Sequence, residues 1–259
     1  MHNSIDQQYQ PDLYNFLLGC GDDLLIIGHR LSEWCGCAPI LEEDIALGNI
    51  ALDCLGQASL LLQLAAEVEC KNRTEDDLAY FRHAIQFRNL QIAELPKGDF
   101  AFTITRQVLF DSFYYYLMEE MQNSKYDKLA GIAQKAFKEI KYHLRHVNEW
   151  IIRLGDGTDE SHTRTQKAVN ELWMYTGEMF ERNDNANVLI GNGIIPDNSL
   201  IKEKWEKDIN FILNKATLRI PDSNIYMVTG GRKGIHTEHL GHLLSELQIL
   251  ARSYPGVKW

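Results

Sequence analysis

Proline and paired cysteine are scarce in this sequence, and a basic surplus is missing. Six prolines in 259 residues leave long stretches with no backbone breaker, so those stretches can run as helices. Five cysteines, Cys20, Cys35, Cys37, Cys54 and Cys70, are odd in number and form no CxxC pair. That excludes a disulfide framework and a structural zinc site, and it points to a reduced, cytoplasmic setting. Cys35 and Cys37, one residue apart, are poorly placed for an unstrained disulfide, and buried free thiols are expected. The net charge of -10 and pI near 5.4 exclude a phosphate-backbone binder, whose affinity rests on clustered Lys and Arg. Nucleic acid is therefore not an expected partner. No run of roughly 18 uninterrupted apolar residues occurs, and the amino end has neither a basic start nor an apolar stretch, so no membrane span or export signal is expected. No Gly-x-Ser-x-Gly elbow is present to support a hydrolase.

What is present is helical periodicity. Apolar residues at Leu17, Leu24, Ile27 and Leu31 predict a first helix over 13–34, stopped by the Gly-Cys-Ala-Pro run at 36–39. A second, over 41–69, opens on Glu42, Glu43 and Asp44, whose charges suit a helix start. It is apolar almost all round and should be largely buried. Helices three and four are predicted over 99–122 and 126–154, the latter closed by Gly155-Asp156-Gly157. A crossing helix over 74–94 fits between helices two and three. Shorter helices follow at about 163–181, 200–218 and 237–253, with an Asn, Asp and Gly-rich loop between the first two. The expected architecture is all-α and single-domain over 1–259. A four-helix bundle spans about 11–157, and a helical C-terminal extension spans about 158–259.

Carboxylates interrupt this apolar pattern. Asp53 lies in helix two, Asp111 in the aromatic run 110–116 of helix three, and Glu139, Tyr142 and His143 in helix four. Buried acids need partners, and acids with imidazoles on several bundle helices suggest a diiron interior. Carboxylate-bridged diiron bundles, however, use two Glu-x-x-His pairs that put oxygen and nitrogen ligands one turn apart, and no such pair occurs. Glu139 is followed at the third position by Tyr142, and His143 arrives one residue late, displaced by about 100 degrees of helix. The single Asp-x-x-His match, Asp159 to His162, falls after the glycine stop and reads as a helix start. Asp53, Asp111, Glu139, Tyr142 and His143 are read as a vestigial polar core, with no catalytic or metal-ligating residue assigned.

Near the carboxyl end, Gly230-Gly231-Arg232-Lys233-Gly234 precedes a helix start and is a candidate anion site through Arg232 and Lys233. His236, His239 and His242 could share a helix face, but caps and loop anchors use the same residues. The tryptophans at 150, 173 and 205 should pack in the core or an interface.

Several segments taken together resemble the C-subunit family of bacterial phenylacetyl-CoA epoxidases. They are the residues from Arg30 to Gly36 with Ala38-Pro39, from Asn49 to Ala58, from Lys138 to Arg145, from Leu154 to Asp159, and from Thr229 to Gly241. The resemblance implies a ferritin-like fold without iron, acting as a structural subunit. A sister A subunit would carry the non-haem diiron centre, a B subunit would bridge, and a flavin and iron-sulfur reductase would supply electrons. The implied substrate is phenylacetyl-CoA, converted to its ring 1,2-epoxide in phenylacetate catabolism. Two other readings stay open: a ferritin-like acyl-CoA binding module using Arg232 and Lys233, and a self-sufficient metal oxygenase with an atypical site built from Asp53, Asp111, Glu139 and His143.

Overall fold

The computed structural model describes residues 9–181, 186–222 and 224–257. Part of the Asn-rich loop, at 182–185, and the amino end lie outside them. Every regular element among the described residues is a helix, as expected for the all-α, ferritin-like class. The α-helices are α1 (Gln10–Ser32), α2 (Leu41–Glu69), α3 (Glu75–Tyr80), α4 (Gln91–Glu94), α5 (Phe100–Met121), α6 (Asp127–Gly155), α7 (Asp159–Leu172), α8 (Asn187–Gly191), α9 (Asn198–Lys215) and α10 (Glu238–Ser253). The chain divides into two compact units. One holds Met1–Cys37, Glu42–Pro96 and Gly230–Trp259; the other holds Ala38–Leu41 and Lys97–Thr229.

In the first unit α1 and α2 run antiparallel in close contact. A Cβ on Gly21 would lie 2.8 Å from the Leu62 side chain, and one on Gly28 would lie 3.1 Å from Leu55. The rising index on α1 meets a falling one on α2, and glycine on α1 lets the axes approach where any side chain would hold them apart. The crossing segment is not one helix. It breaks into α3, a 3₁₀ turn at Ala84–Gln86, and the single turn α4, with His83, Phe87 and Leu90 extended. Apolar spacing in this stretch mimics a helix because Leu78, Phe87, Leu90 and Ile92 are all fully buried. The buried polar groups between them need backbone partners that a continuous helix would not free.

Helix α2 has the bounds read from the sequence, but it is less buried than expected, with fewer than half of its residues in the core. Ile45 is 56% and Leu52 67% exposed. It is also the one described helix long and apolar enough to cross a membrane by length and composition, with 44% of its most apolar window buried.

In the second unit α5 is buried on nearly every side and pairs with α6. Phe100 meets Trp150 edge-on at 5.0 Å, and Tyr115 packs on Phe137 at 4.9 Å, an antiparallel register. An aromatic chain extends from Phe113 through Phe180 to Trp205 and Trp173, at 5.6, 5.3 and 5.9 Å. Trp205 donates its indole N–H to the Leu109 carbonyl at 3.0 Å, so its polar edge is satisfied inside the core. Helix α6 ends at Gly155 without a left-handed cap. Glycine is needed there because a Cβ would sit 2.2 Å from the Ala216 carbonyl oxygen. Asp159 opens α7 behind a Thr158 capping box, as the helix-start reading had it.

Candidate functional site

The first unit encloses a polar network built from three distant stretches of chain. The Asp22-Asp23 pair sits in the middle of α1 among leucines and isoleucines, and both carboxylates are fully buried. Asp22 takes both its oxygens to Arg82, which lies over the Phe87 ring at 4.1 Å, and also accepts the Arg88 amide at 2.8 Å. Asp23 accepts the Leu90 amide at 2.6 Å through one oxygen and Arg232 Nη2 at 2.6 Å through the other. Each buried charge thus has a counter-charge and a backbone donor, the condition for tolerating it away from water.

Glu94 is the second node. One carboxylate oxygen accepts from Asn89 at 2.9 Å and faces His236 Nδ1 at 2.5 Å, while the other accepts the Thr237 amide and hydroxyl, both at 2.7 Å. The second nitrogen of His236 faces the Phe87 carbonyl at 3.1 Å. Arg30 closes the set, donating to the Glu94 carbonyl at 3.0 and 2.7 Å and to the His239 carbonyl at 3.2 Å. Two sequence stretches singled out above, around Arg30 and over Gly230–Gly241, therefore meet at Glu94.

The glycine-rich turn is part of this clamp. Amides at its end are used internally: Lys233 and Ile235 donate to the Gly230 carbonyl at 2.8 and 3.1 Å, and Gly234 to that of Gly231 at 3.0 Å. Arg232 is spent on Asp23 and, at 2.8 Å, on the Arg88 carbonyl, leaving Lys233 as the exposed cation of the expected anion pair. The three histidines diverge. His236 is buried against Glu94, His239 is half-buried, and His242 is exposed.

The polar residues picked out for a vestigial metal core are dispersed. Asp53 is half-buried on α2 in the first unit. In the second unit Asp111 is buried beside Gln107, whose amide donates to it at 3.3 Å; its other carboxylate oxygen has no hydrogen-bond partner. Burial pushes the Asp111 carboxyl up to about 8, against the opposing pull of Gln107 and Arg106. His143 lies on the inward stripe of α6 with Ile140, Leu144 and Val147. Glu139 sits at the edge of that stripe, and Tyr142 points away, 48% exposed and stacked on His146. The tyrosine therefore stands outside the interior, not where an inward ligand would be. Among the described residues no three His, Cys, Asp or Glu side chains form a group that could hold a metal. A diiron centre needs several carboxylates and imidazoles converging on one point, and Asp53, Asp111, Glu139 and His143 do not form such a group.

Sequence reading passed over Asp22, Asp23 and Glu94. Two adjacent acids inside the apolar run Leu17 to Ile27 were the available signal, since buried carboxylates persist in a core only when they have partners. The thiols differ from expectation too: Cys20 and Cys54 are buried, but Cys35, Cys37 and Cys70 are exposed.

The model of the phenylacetic acid catabolic protein family matches residues 1–259. The chain belongs to that family. Within the phenylacetic acid catabolic family it is similar to the C subunit of the 1,2-phenylacetyl-CoA epoxidase of Escherichia coli (strain K12), with 44% identity over 244 residues, covering 94% of this chain and 98% of that protein.

Proposed function

We propose that this chain is the C-type subunit of a phenylacetyl-CoA epoxidase in aerobic phenylacetate degradation, a non-catalytic scaffold that stabilises a catalytic A subunit. The observation that carries the scaffold reading is the outward stripe of α2. Ile45, Asn49, Leu52, Gly56 and Ser59 recur at helical spacing on one exposed face, with Leu52 67% exposed and nothing within 4 Å of where a Gly56 Cβ would be. Apolar and small residues on an uncovered helix face suit the close approach of a partner helix. Near full-length similarity to an epoxidase C subunit supports a place in such a complex.

In this reading the diiron centre belongs to the A subunit, a B subunit bridges, and a reductase delivers electrons for oxygen transfer to the ring of phenylacetyl-CoA. The assembly works in the cytoplasm. Co-expression with the A subunit, followed by size exclusion and iron analysis, tests it. A stable mixed oligomer is expected, with no oxygenase activity from this chain alone. Failure to co-purify would overturn the reading. So would nearly two irons per isolated chain that are lost in Glu139→Gln and His143→Ala.

A further inference from the structure

A cleft of about 470 Å³ opens in the first unit, where the start of α1, the end of α2 and the crossing segment meet. Four cations line it, Lys71, Arg73, Arg82 and Arg88, against the single carboxylate of Glu69. Asp22, behind the wall, compensates Arg82. Four positive against two negative side chains leaves an excess of two, in a chain whose net charge is -10.

The compensation is uneven. Arg73 grips both oxygens of Glu69, at 2.7 and 2.5 Å, and Lys71 shares one of them at 3.2 Å. Burial disfavours the charged form of Glu69, but hydrogen bonds from Arg73 and Lys71 prevail and hold its carboxyl below the usual range. Among the described residues Arg88 has no carboxylate partner: its Nη1 donates at 2.8 Å to the Ile85 and Phe87 carbonyls, which fix the guanidinium in place. The Tyr14 hydroxyl accepts from Arg73 at 2.9 Å, which leaves its own proton to donate, and Asn15 lies beside it on the lining. Burial raises the Tyr14 phenol, so that proton is retained.

The fixed Arg88 guanidinium, a lysine and a hydroxyl donor around an excess of two positive charges suit a phosphate dianion better than a single carboxylate. The volume is that of a small-molecule pocket, too small for a polymer, and the overall negative charge disfavours long polyanions. We propose that this cleft binds the phosphate end of a phosphorylated small molecule, with the excess charge supplied by Arg88 and by Lys71, which only shares Glu69 with Arg73. The site shares neither of the cations of the glycine-rich turn and goes beyond the scaffold reading, which co-purification tests separately.

Calorimetric titration of the full chain at low salt with inorganic pyrophosphate, ADP and adenosine tests the proposal. One-to-one binding of pyrophosphate and ADP is expected, with none of adenosine. Arg88→Gln and Lys71→Gln should each weaken it about tenfold, a change of about 1.4 kcal/mol, with folding verified by circular dichroism. Lys71 is 70% exposed, so its variant folds even if the arginine variant does not. Lys138→Gln, an exposed lysine on α6, should change nothing. Absence of saturable binding, equal binding of adenosine, or equal weakening by Lys138→Gln would overturn the site.

Discussion

The buried carboxylate of Asp23 is held by Arg232 at 2.6 Å, across 209 positions of sequence. A mid-helix acid on α1 and an arginine in a C-terminal turn thereby lock the two ends of the chain's first unit. Arg232→Ala leaves that acid buried without its counter-charge and should lower the unfolding free energy by about 3 kcal/mol, the low end for a broken buried pair because the arginine is partly exposed. Arg232→Lys should recover only part, since an ammonium cannot serve both Asp23 and the Arg88 carbonyl with a planar fork. Urea denaturation measures both. A loss below about 0.5 kcal/mol, typical of a surface change, would mean the pair does not hold the unit.

The turn that delivers Arg232 depends on Gly234. Its φ is +83°, and a Cβ there would lie 2.4 Å from the Ile85 carbonyl oxygen. Gly234→Ala should cost about 1–3 kcal/mol from backbone conformation alone, with the steric clash added. Gly131→Ala, on the exposed face of α6 where a Cβ meets nothing within 4 Å, should instead stabilise by about 0.5–1 kcal/mol. Thermal melts of the two variants should shift in opposite directions.

Asp111 makes stability depend on pH. Its carboxyl, raised by burial to about 8 in the folded chain, sits near 4 when unfolded. The folded state therefore binds more protons between those values, so stability is full below the unfolded value and is lost as pH rises through about 8. Asp111→Asn should flatten the decline in melting temperature between pH 5 and 8, with its largest relative gain at the alkaline end. An unchanged slope would show that the carboxyl is not the responsible group.

Leu52→Asp tests the outward face of α2. The side chain is 67% exposed, so the isolated chain should lose no more than about 0.5 kcal/mol. Co-purification with an A-type subunit should fall sharply, because an unpaired charge would be trapped in an apolar contact. Wild-type association by this variant would place the interface elsewhere.

The vestigial-core reading and the network found at Asp22, Asp23 and Glu94 come from the same kind of signal, acids in apolar helices. Pattern alone ranked them poorly. Asp53 and Glu139 share helical spacing with buried neighbours but lie at the edges of their stripes, and a spacing argument carries no account of where the stripe ends. Tyr142 falls at a ligand's place by spacing, although the inward stripe of α6 runs through Ile140, His143 and Val147.

Helix identity, the bounds of α2 and the near bounds of α5 and α6 were decided by sequence alone, because long uninterrupted periodicity and sparse proline leave the backbone few alternatives. The family likeness was legible there too, in ordered motifs spread along the chain. Only the tertiary structure decided what those motifs do. Arg30, Glu94, Arg232 and His236 lie far apart in sequence, and their partners are chosen by which buried charges the packing brings within hydrogen-bond reach. The same holds for the crossing segment, where propensity favoured a helix and the need to satisfy buried acids broke it.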